Sequence, residues 1–536
     1  MLSFLRQTPL RSWMLALLCA IYLLAGTVGH DPWKTDDAVH LGIAWEFASH
    51  GNWLNPRIGI EAIPGTAPLY HWCAAVFGKT LSFLIPFHDA ARLASALFGA
   101  LLLLGLALAA RRLTQNKEVA WLAPVLAIGT LGLLLPLHDA QPAIALLATQ
   151  AFVYFGVTLL NDKPPAGALT IALAMGAGLW SAGLLSLLSL LPPLLFCLLH
   201  RDWRTPRVLA AALAGLLAGI AIGGLWPVML FWLAPDQLAS WWAGELARFN
   251  IFFSGGEYLL QNHFELLAWF VWPILPIALW SLWIKRRTLA EPSVLLPLLG
   301  CACSFIQLFL IADPKPLLSL HLIVPMVLLA LPGAERLRRG ASNAFDWFGV
   351  MTFTLLAGLL WLGGIAMATG APARVAKNFY KAEPGFISNL SVPAFVVAGL
   401  LTAAWLWVLF GVPRSPLRSA TRWAAGVTLM WGLIATLWLP WVDFGKTYRP
   451  VALSLDKALG NNRECVASKD VGLAQKASLR YFMDLATRPI DKSDACPWLL
   501  IQGASGKEPE LKGMKKAWEG NRGGDKSERL RLYRRN

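Results

Sequence analysis

The sequence predicts an all-α polytopic membrane protein with about thirteen transmembrane helices, a polar first loop bearing interfacial helices, and a small C-terminal α/β domain. Three observations carry that prediction. Of 536 residues, 57% are hydrophobic and 14% charged, with a mean hydropathy of +0.55; a chain this apolar must have a bilayer as its solvent. Apolar runs of roughly 17 to 25 residues, the length that crosses about 30 Å of hydrocarbon as helix, recur along it. Lys and Arg gather between those runs, so the net charge of +15 reports topology. They form no single face or tail of the kind that binds nucleic acid.

The runs are Trp13 to Val28, Ala90 to Ala110, Val119 to Pro136, Ala143 to Leu160, Ala166 to Ala182, Gly183 to Leu199, Arg207 to Leu233, Glu265 to Ile284, Val294 to Ala312, Leu317 to Pro332, Ala344 to Gly370, Val392 to Phe410 and Ala420 to Leu439. The first is kept as a span because no small-x-small cleavage site is followed by a soluble domain. The break at Ser181-Ala182-Gly183 also reads as a kink in one long helix or a re-entrant turn.

Cytoplasmic loops collect Lys and Arg. Alternating sides from a cytoplasmic N-terminus places Arg6/Arg11, Arg111/Arg112/Lys117, Lys163, Arg201/Arg204/Arg207, Lys285/Arg286/Arg287, Arg336/Arg338/Arg339 and Arg414/Arg418/Arg422 inside. The loop 371 to 391, with Arg374, Lys377 and Lys381, is the one basic loop left outside. An odd number of spans puts residues 441–536 outside. That domain reads as a strand (Cys465 to Ser468), a helix (Val471 to Leu485) and a strand (Trp498 to Gln502). Neighbouring parallel strands would bring Cys465 and Cys496 together, which favours a disulfide and, in a bacterial type of cell, the periplasm; two unpaired thiols are the other reading. The basic end, with Arg529, Arg531, Arg534 and Arg535, is suited to anionic head groups or an acidic glycan.

Loops held by a rigid scaffold often carry function, and the first outer loop, 30 to 89, stands out. From Thr35 an N-cap precedes Asp36 and Asp37 in the first turn of a helix, which suits the helix dipole. Leu41, Ala44, Trp45 and Ala48 follow at helical spacing, a face able to lie flat on the membrane. The two acids either only satisfy the helix N-terminus, or one removes a proton from an acceptor hydroxyl or phosphate while its neighbour orients it. Asp139, in the short outer link 137 to 142, reads equally as a functional group or as an N-cap. Arg248 reads as a phosphate ligand or as the ion-pair partner of Glu245. His40 and His138 have no metal-ligand spacing on a helix. The sequence has no Walker loop, dinucleotide fingerprint or Cys-x-x-Cys, and the small residues of Ala211 to Gly224 look like helix packing.

Asp36-Asp37-Ala38 with Ala44, Gly51-Asn52-Trp53 with Pro56-Arg57, and Ala67-Pro68-Leu69 with Trp72 resemble the first periplasmic loop of the GT-C glycosyltransferases. The nearest members are the bacterial aminoarabinose transferases related to protein O-mannosyltransferases, whose loop reads Asp-Glu-Ala-Arg-Tyr, Gly-Asp-Trp, Pro-Arg and Glu-Lys-Pro-Pro-Leu. Ala91-Arg92-Leu93 with Ser95-Ala96, and Glu245-Leu246-Ala247-Arg248-Phe249 with Trp272-Pro273, resemble later motifs of that family. The resemblance implies a GT-C transmembrane domain over residues 1–440 and a periplasmic domain over 441–536, in a multi-pass protein of a bacterial inner membrane.

The activity it implies is transfer of a sugar, with inversion, from a polyprenyl-phosphate donor to a lipid (lipid A-like), glycan or protein acceptor at the periplasmic face. Asp36 would be the general base and Asp37 its neighbour. The family's Arg falls on Val39 and its Glu-Lys on Gly65-Thr66; in the relatives those residues contribute to metal and lipid-phosphate binding. Other cations must then meet the phosphate: Arg57 and Arg248 first, Lys34 and Lys315 behind them, with Asp139, His40 and Glu245 completing the candidate set. The residues themselves assign no cofactor, and a divalent metal is the one the resemblance implies. A transporter or flippase for a lipid-linked substrate and an inactive GT-C scaffold are the rival readings. Charges concentrated in outer loops, without a two-fold repeat, favour the enzyme.

Overall fold

A computed structural model describes residues 10–249, 267–310, 320–388, 391–413, 415, 417–460, 465–490, 496–506, 511, 513–525 and 527–535. Among them, six helices are long and apolar enough to cross a bilayer: Phe87–Thr114, Pro164–Ala182, Pro206–Leu233, Arg339–Thr369, Val392–Phe410 and the run Arg418–Lys446. Shorter apolar helices fall on other expected spans, among them Ser12–Leu24, Ala143–Leu159, Ile274–Lys285 and Leu320–Glu335.

One expected span is not a continuous helix. Residues 119–136 fold as Lys117–Ala120, Leu122–Ile128 and a 3₁₀ turn Leu131–Leu133. Irregular backbone is tolerated at membrane depth only where protein satisfies it, and here protein does. Every residue of Leu122–Ile128 is buried. The Gly129 carbonyl accepts from Trp423 Nε1 (2.7 Å), and Leu131 N–H donates to the Trp272 carbonyl (3.0 Å).

The interruption at 181–183 is a turn. Gly183 has φ +61°, a conformation open to glycine, and a Cβ there would lie 2.5 Å from Glu245 Oε2. That oxygen accepts from Leu184 N–H (2.7 Å), and the helices Leu185–Leu190 and Pro192–Leu199 follow. The small residues of Pro206–Leu233 let it approach Pro164–Ala182 closely: a Cβ on Gly219 would lie 2.4 Å from Met175 Cβ, and one on Gly223 would lie 2.2 Å from Leu179 Cδ1.

In the first loop, the helix Asp36–His50 leads into a short antiparallel hairpin (Arg57–Ile58 with Glu61–Ala62) and the helix Leu69–Leu81. Leu41, Ala44 and Phe47 are buried in the core, so the apolar side of Asp36–His50 meets protein. Part of that cover comes from the C-terminal region, where a Cβ on Gly42 would lie 2.8 Å from Ala477 Cβ.

The C-terminal region has a helix Arg449–Leu459, a helix Leu473–Met483 and a five-stranded sheet. The sheet order is Arg488–Pro489, Val466–Lys469, Trp498–Ala504, Glu528–Arg535, Met514–Gly520; the first three strands are parallel and the last two antiparallel. Val466 lies opposite Trp498, and Cys465 and Cys496, just before those strands, are joined by a disulfide with Cα atoms 5.0 Å apart. The basic end is a sheet strand with its charges partly spent inside: Arg531 is buried and lies 3.4 Å from Glu519, while Arg534 sits over the Trp498 ring.

Candidate active site

The site is built where the first loop meets the start of the helix Phe87–Thr114. Thr35 precedes the helix Asp36–His50 without a side-chain cap bond. Asp37 organises the turn instead: its Oδ2 accepts from Trp33 N–H (2.9 Å) and its Oδ1 from Ala140 N–H (2.8 Å). Arg92 donates to both oxygens, Nε to Oδ1 at 3.0 Å and Nη2 to Oδ2 at 2.9 Å. Burial raises the Asp37 pKa, but the Arg92 charge and its hydrogen bonds outweigh burial and bring it down to about 2. Arg92 spends its other hydrogens on the His30 carbonyl (2.8 Å), the Asp31 carbonyl (2.7 Å) and Asp89 Oδ1 (3.2 Å).

Asp36, the preceding residue, is half-buried, and among the described residues its carboxylate has no hydrogen bond or ion pair. Asp139 stands beside the pair, since Ala140 N–H is the donor to Asp37. Its backbone carbonyl accepts from Ser95 Oγ (2.6 Å), which is bonded to the Tyr70 hydroxyl (2.7 Å). Its Oδ1 is buried without a partner. Burial first and the Asp37 charge second push its carboxyl up to about 7, with Asp36 adding to the rise. Neighbouring carboxyl groups held at opposite ends of the scale are a recurrent basis for dividing acid and base roles.

His40 Nδ1 is 3.1 Å from Nε2 of buried His71, whose Nδ1 lies 3.1 Å from the Ala67 carbonyl. A carbonyl only accepts, so His71 carries its proton on Nδ1 and His40 Nδ1–H donates to it. Burial holds the His71 pKa well below its usual value. Lys34 is tied to Glu528 in the strand Glu528–Arg535 (2.8 Å). Arg57 has a buried Nε without a partner. Glu245 stands at the Gly183 turn, where its Oε2 accepts from Leu184 N–H (2.7 Å). Arg248 is in the last turn of Pro235–Phe249; its side chain, and all of Lys315, lie outside the described residues. Asp36, Asp37 and Asp139 thus come together, while Lys34 and Glu245 are engaged elsewhere.

Several residues of this network, Arg92, Asp31 and Asp89 first among them, are not site candidates in the sequence. The available signal was a lone arginine at the start of an apolar run, where an unpaired charge would be costly. Among the described residues, no group of three or more His, Cys, Asp and Glu side chains could hold a metal ion. The described residues do not fit a metal centre, and no step is routed through one. Next to the Gly183 turn, a cavity of about 870 Å³ is lined by apolar side chains that include Leu184, Trp226, Phe231, Trp232 and Trp242.

A bundle of apolar helices with a polar first-loop site and a small C-terminal sheet defines a membrane protein of the GT-C fold. Two solved structures of ArnT from Cupriavidus metallidurans are similar to the chain, one bound to undecaprenyl phosphate (TM-score 0.68) and one in the apo state (TM-score 0.66). Each is 18% identical and covers 97% of this chain and 97% of the solved one. At that identity the likeness is one of fold. Comparison with protein-family models and with curated proteins gives no match.

Proposed function

We propose that the protein is a glycosyltransferase that moves a sugar from a polyprenyl-phosphate donor to a lipid, glycan or protein acceptor, with Asp36 as general base. The observation that carries this reading is the contrast within one turn. Asp37 is consumed by four hydrogen bonds, whereas the half-buried Asp36 carboxylate has none among the described residues. A carboxylate on a rigid turn with unused lone pairs is suited to take a proton from an incoming hydroxyl.

In the reaction, the acceptor oxygen bonds to the sugar's anomeric carbon as its proton passes to Asp36. The bond from that carbon to the phosphate oxygen breaks on the opposite face, and the polyprenyl phosphate leaves with the electron pair. Arg57, with its unpartnered buried Nε, is assigned to the leaving phosphate, since a phosphate in a weakly screened site needs a cation. Asp139 in its protonated form donates a hydrogen bond near the acceptor. The apolar cavity beside Gly183 holds part of the isoprenoid chain; this assignment is supported by its lining and by the undecaprenyl phosphate bound to the similar ArnT structure.

Residues 1–440 form the transferase body in this reading, and 441–536 lie in the periplasm with the site, on the strength of the alternating basic loops and the Cys465–Cys496 bond. The test is transfer from a panel of purified polyprenyl-phosphate sugars to total envelope lipid and protein. Transfer from one donor establishes the activity and names the sugar; no transfer from any donor, with the protein folded, overturns it.

A further inference from the structure

Every polar atom of Asp31 is bound. Its N–H donates to Asp443 Oδ1 (2.9 Å), which also accepts from Trp33 Nε1 (2.8 Å). Its carbonyl accepts from Arg92 Nη2 (2.7 Å), the same nitrogen that holds Asp37. Its Oδ2 accepts from Thr447 Oγ1 (2.8 Å) and Arg449 Nε (2.9 Å), and its Oδ1 from Arg449 Nη2. Asp31 therefore joins the first residue of the helix Arg449–Leu459 to the arginine that fixes the catalytic turn.

The same two parts of the chain meet at three more charge pairs. Arg480 Nε lies 2.6 Å from Glu46, Lys476 Nζ 2.5 Å from Glu61, and Lys34 Nζ 2.8 Å from Glu528. Arg449 is about half exposed, with 48% side-chain accessibility, and a pair exposed in this way contributes little to global stability. A double hydrogen bond from a planar guanidinium to a carboxylate does fix geometry.

We propose that the C-terminal region is a brace for the first loop, and that Arg449 is a positioning residue that sets the place of Asp36 by holding Asp31. The catalytic half of this inference rests on Asp36 being the base; the mechanical half does not. Arg449 touches no reacting atom, so its loss displaces the base and leaves donor binding intact.

The experiment compares full-length natural protein with Arg449→Ala, Arg449→Lys and Asp36→Asn, measuring donor kinetics and hydrogen exchange of peptides covering residues 31–50. For Arg449→Ala the brace predicts a kcat lower by about tenfold to a hundredfold with donor KM unchanged, the scale set by a small misplacement of a catalytic group. It also predicts faster exchange of the amides at 33–40 and partial rescue by Arg449→Lys. Unchanged exchange at 33–40 in Arg449→Ala overturns the brace whatever the activity. Full transfer by Asp36→Asn, with exchange raised by Arg449→Ala, overturns the assignment of the base and keeps the brace. Should Arg449→Ala not fold, Asp31→Asn carries the same expectations.

Discussion

Asp37 and Arg92 face each other through two parallel hydrogen bonds, Nε to Oδ1 at 3.0 Å and Nη2 to Oδ2 at 2.9 Å, with side-chain exposures of 2% and 0%. The pair joins the first loop to the helix Phe87–Thr114. Removing one member of such a pair leaves the other charge buried alone, which costs about 3 to 5 kcal/mol. Asp37→Ala and Arg92→Ala are each expected to lower the detergent-solubilised protein's stability by that order. The double variant should cost clearly less than the two losses added, because each single change already breaks the shared network. Thermal unfolding of the three variants checks this; simple additivity would deny the coupling.

The pH dependence near the site has two opposed parts. Asp37 has a folded pKa lowered to about 2, so its stabilisation is present above the ordinary Asp value and is lost as pH falls towards 2. Asp139 has a folded pKa raised to about 7, so the folded state holds a proton that the unfolded state has released, and stability falls as pH rises from about 4 to about 7. Asp139→Asn keeps the neutral shape. It should raise the melting temperature at pH 8 and leave it nearly unchanged at pH 4, as read by melts across that range.

Gly224 lines the apolar cavity, and a Cβ there meets nothing within 4 Å. Gly224→Phe should fold normally, fill part of the cavity and raise donor KM by about tenfold with a smaller change in kcat, the pattern of lost substrate binding. Gly223→Phe is the contrast, since a Cβ there would strike Leu179 at 2.2 Å; it should lower expression of folded protein. Donor kinetics and size-exclusion profiles separate the two.

The Cys465–Cys496 bond closes a loop with a sequence separation of 31, for which the chain-entropy account gives about 3 to 4 kcal/mol. Cys465→Ser should lower the unfolding midpoint of the C-terminal region by an amount of that order, and reducing agent should do the same to the natural chain. An unchanged midpoint with reductant would mean that the bond adds no stability.

Much of this helical architecture is legible in the sequence because bilayer thickness dictates run length. Asp36, Asp37 and Asp139 were readable as candidates because ionisable groups at helix starts beside apolar runs are conspicuous. The broken 119–136 segment was not, since an apolar run looks the same whether it faces lipid or is buried in protein, as Leu122–Ile128 is. The different fates of Asp36 and Asp37 were also hidden. They depend on Arg92 and Ala140, 55 and 103 positions from Asp37 in the chain, and no local pattern reports such contacts. The strands Met514–Gly520 and Glu528–Arg535 were obscured by cations, one of which, Arg531, is buried against Glu519.

The most direct test of the central claim is single-turnover sugar transfer by Asp36→Asn, run beside the natural chain with melting temperature and donor binding measured on the same preparations. The account predicts transfer slowed by about a hundredfold to ten-thousandfold, the range for loss of a general base, with melting and donor binding unchanged. Transfer at the natural rate by a folded Asp36→Asn protein would contradict it.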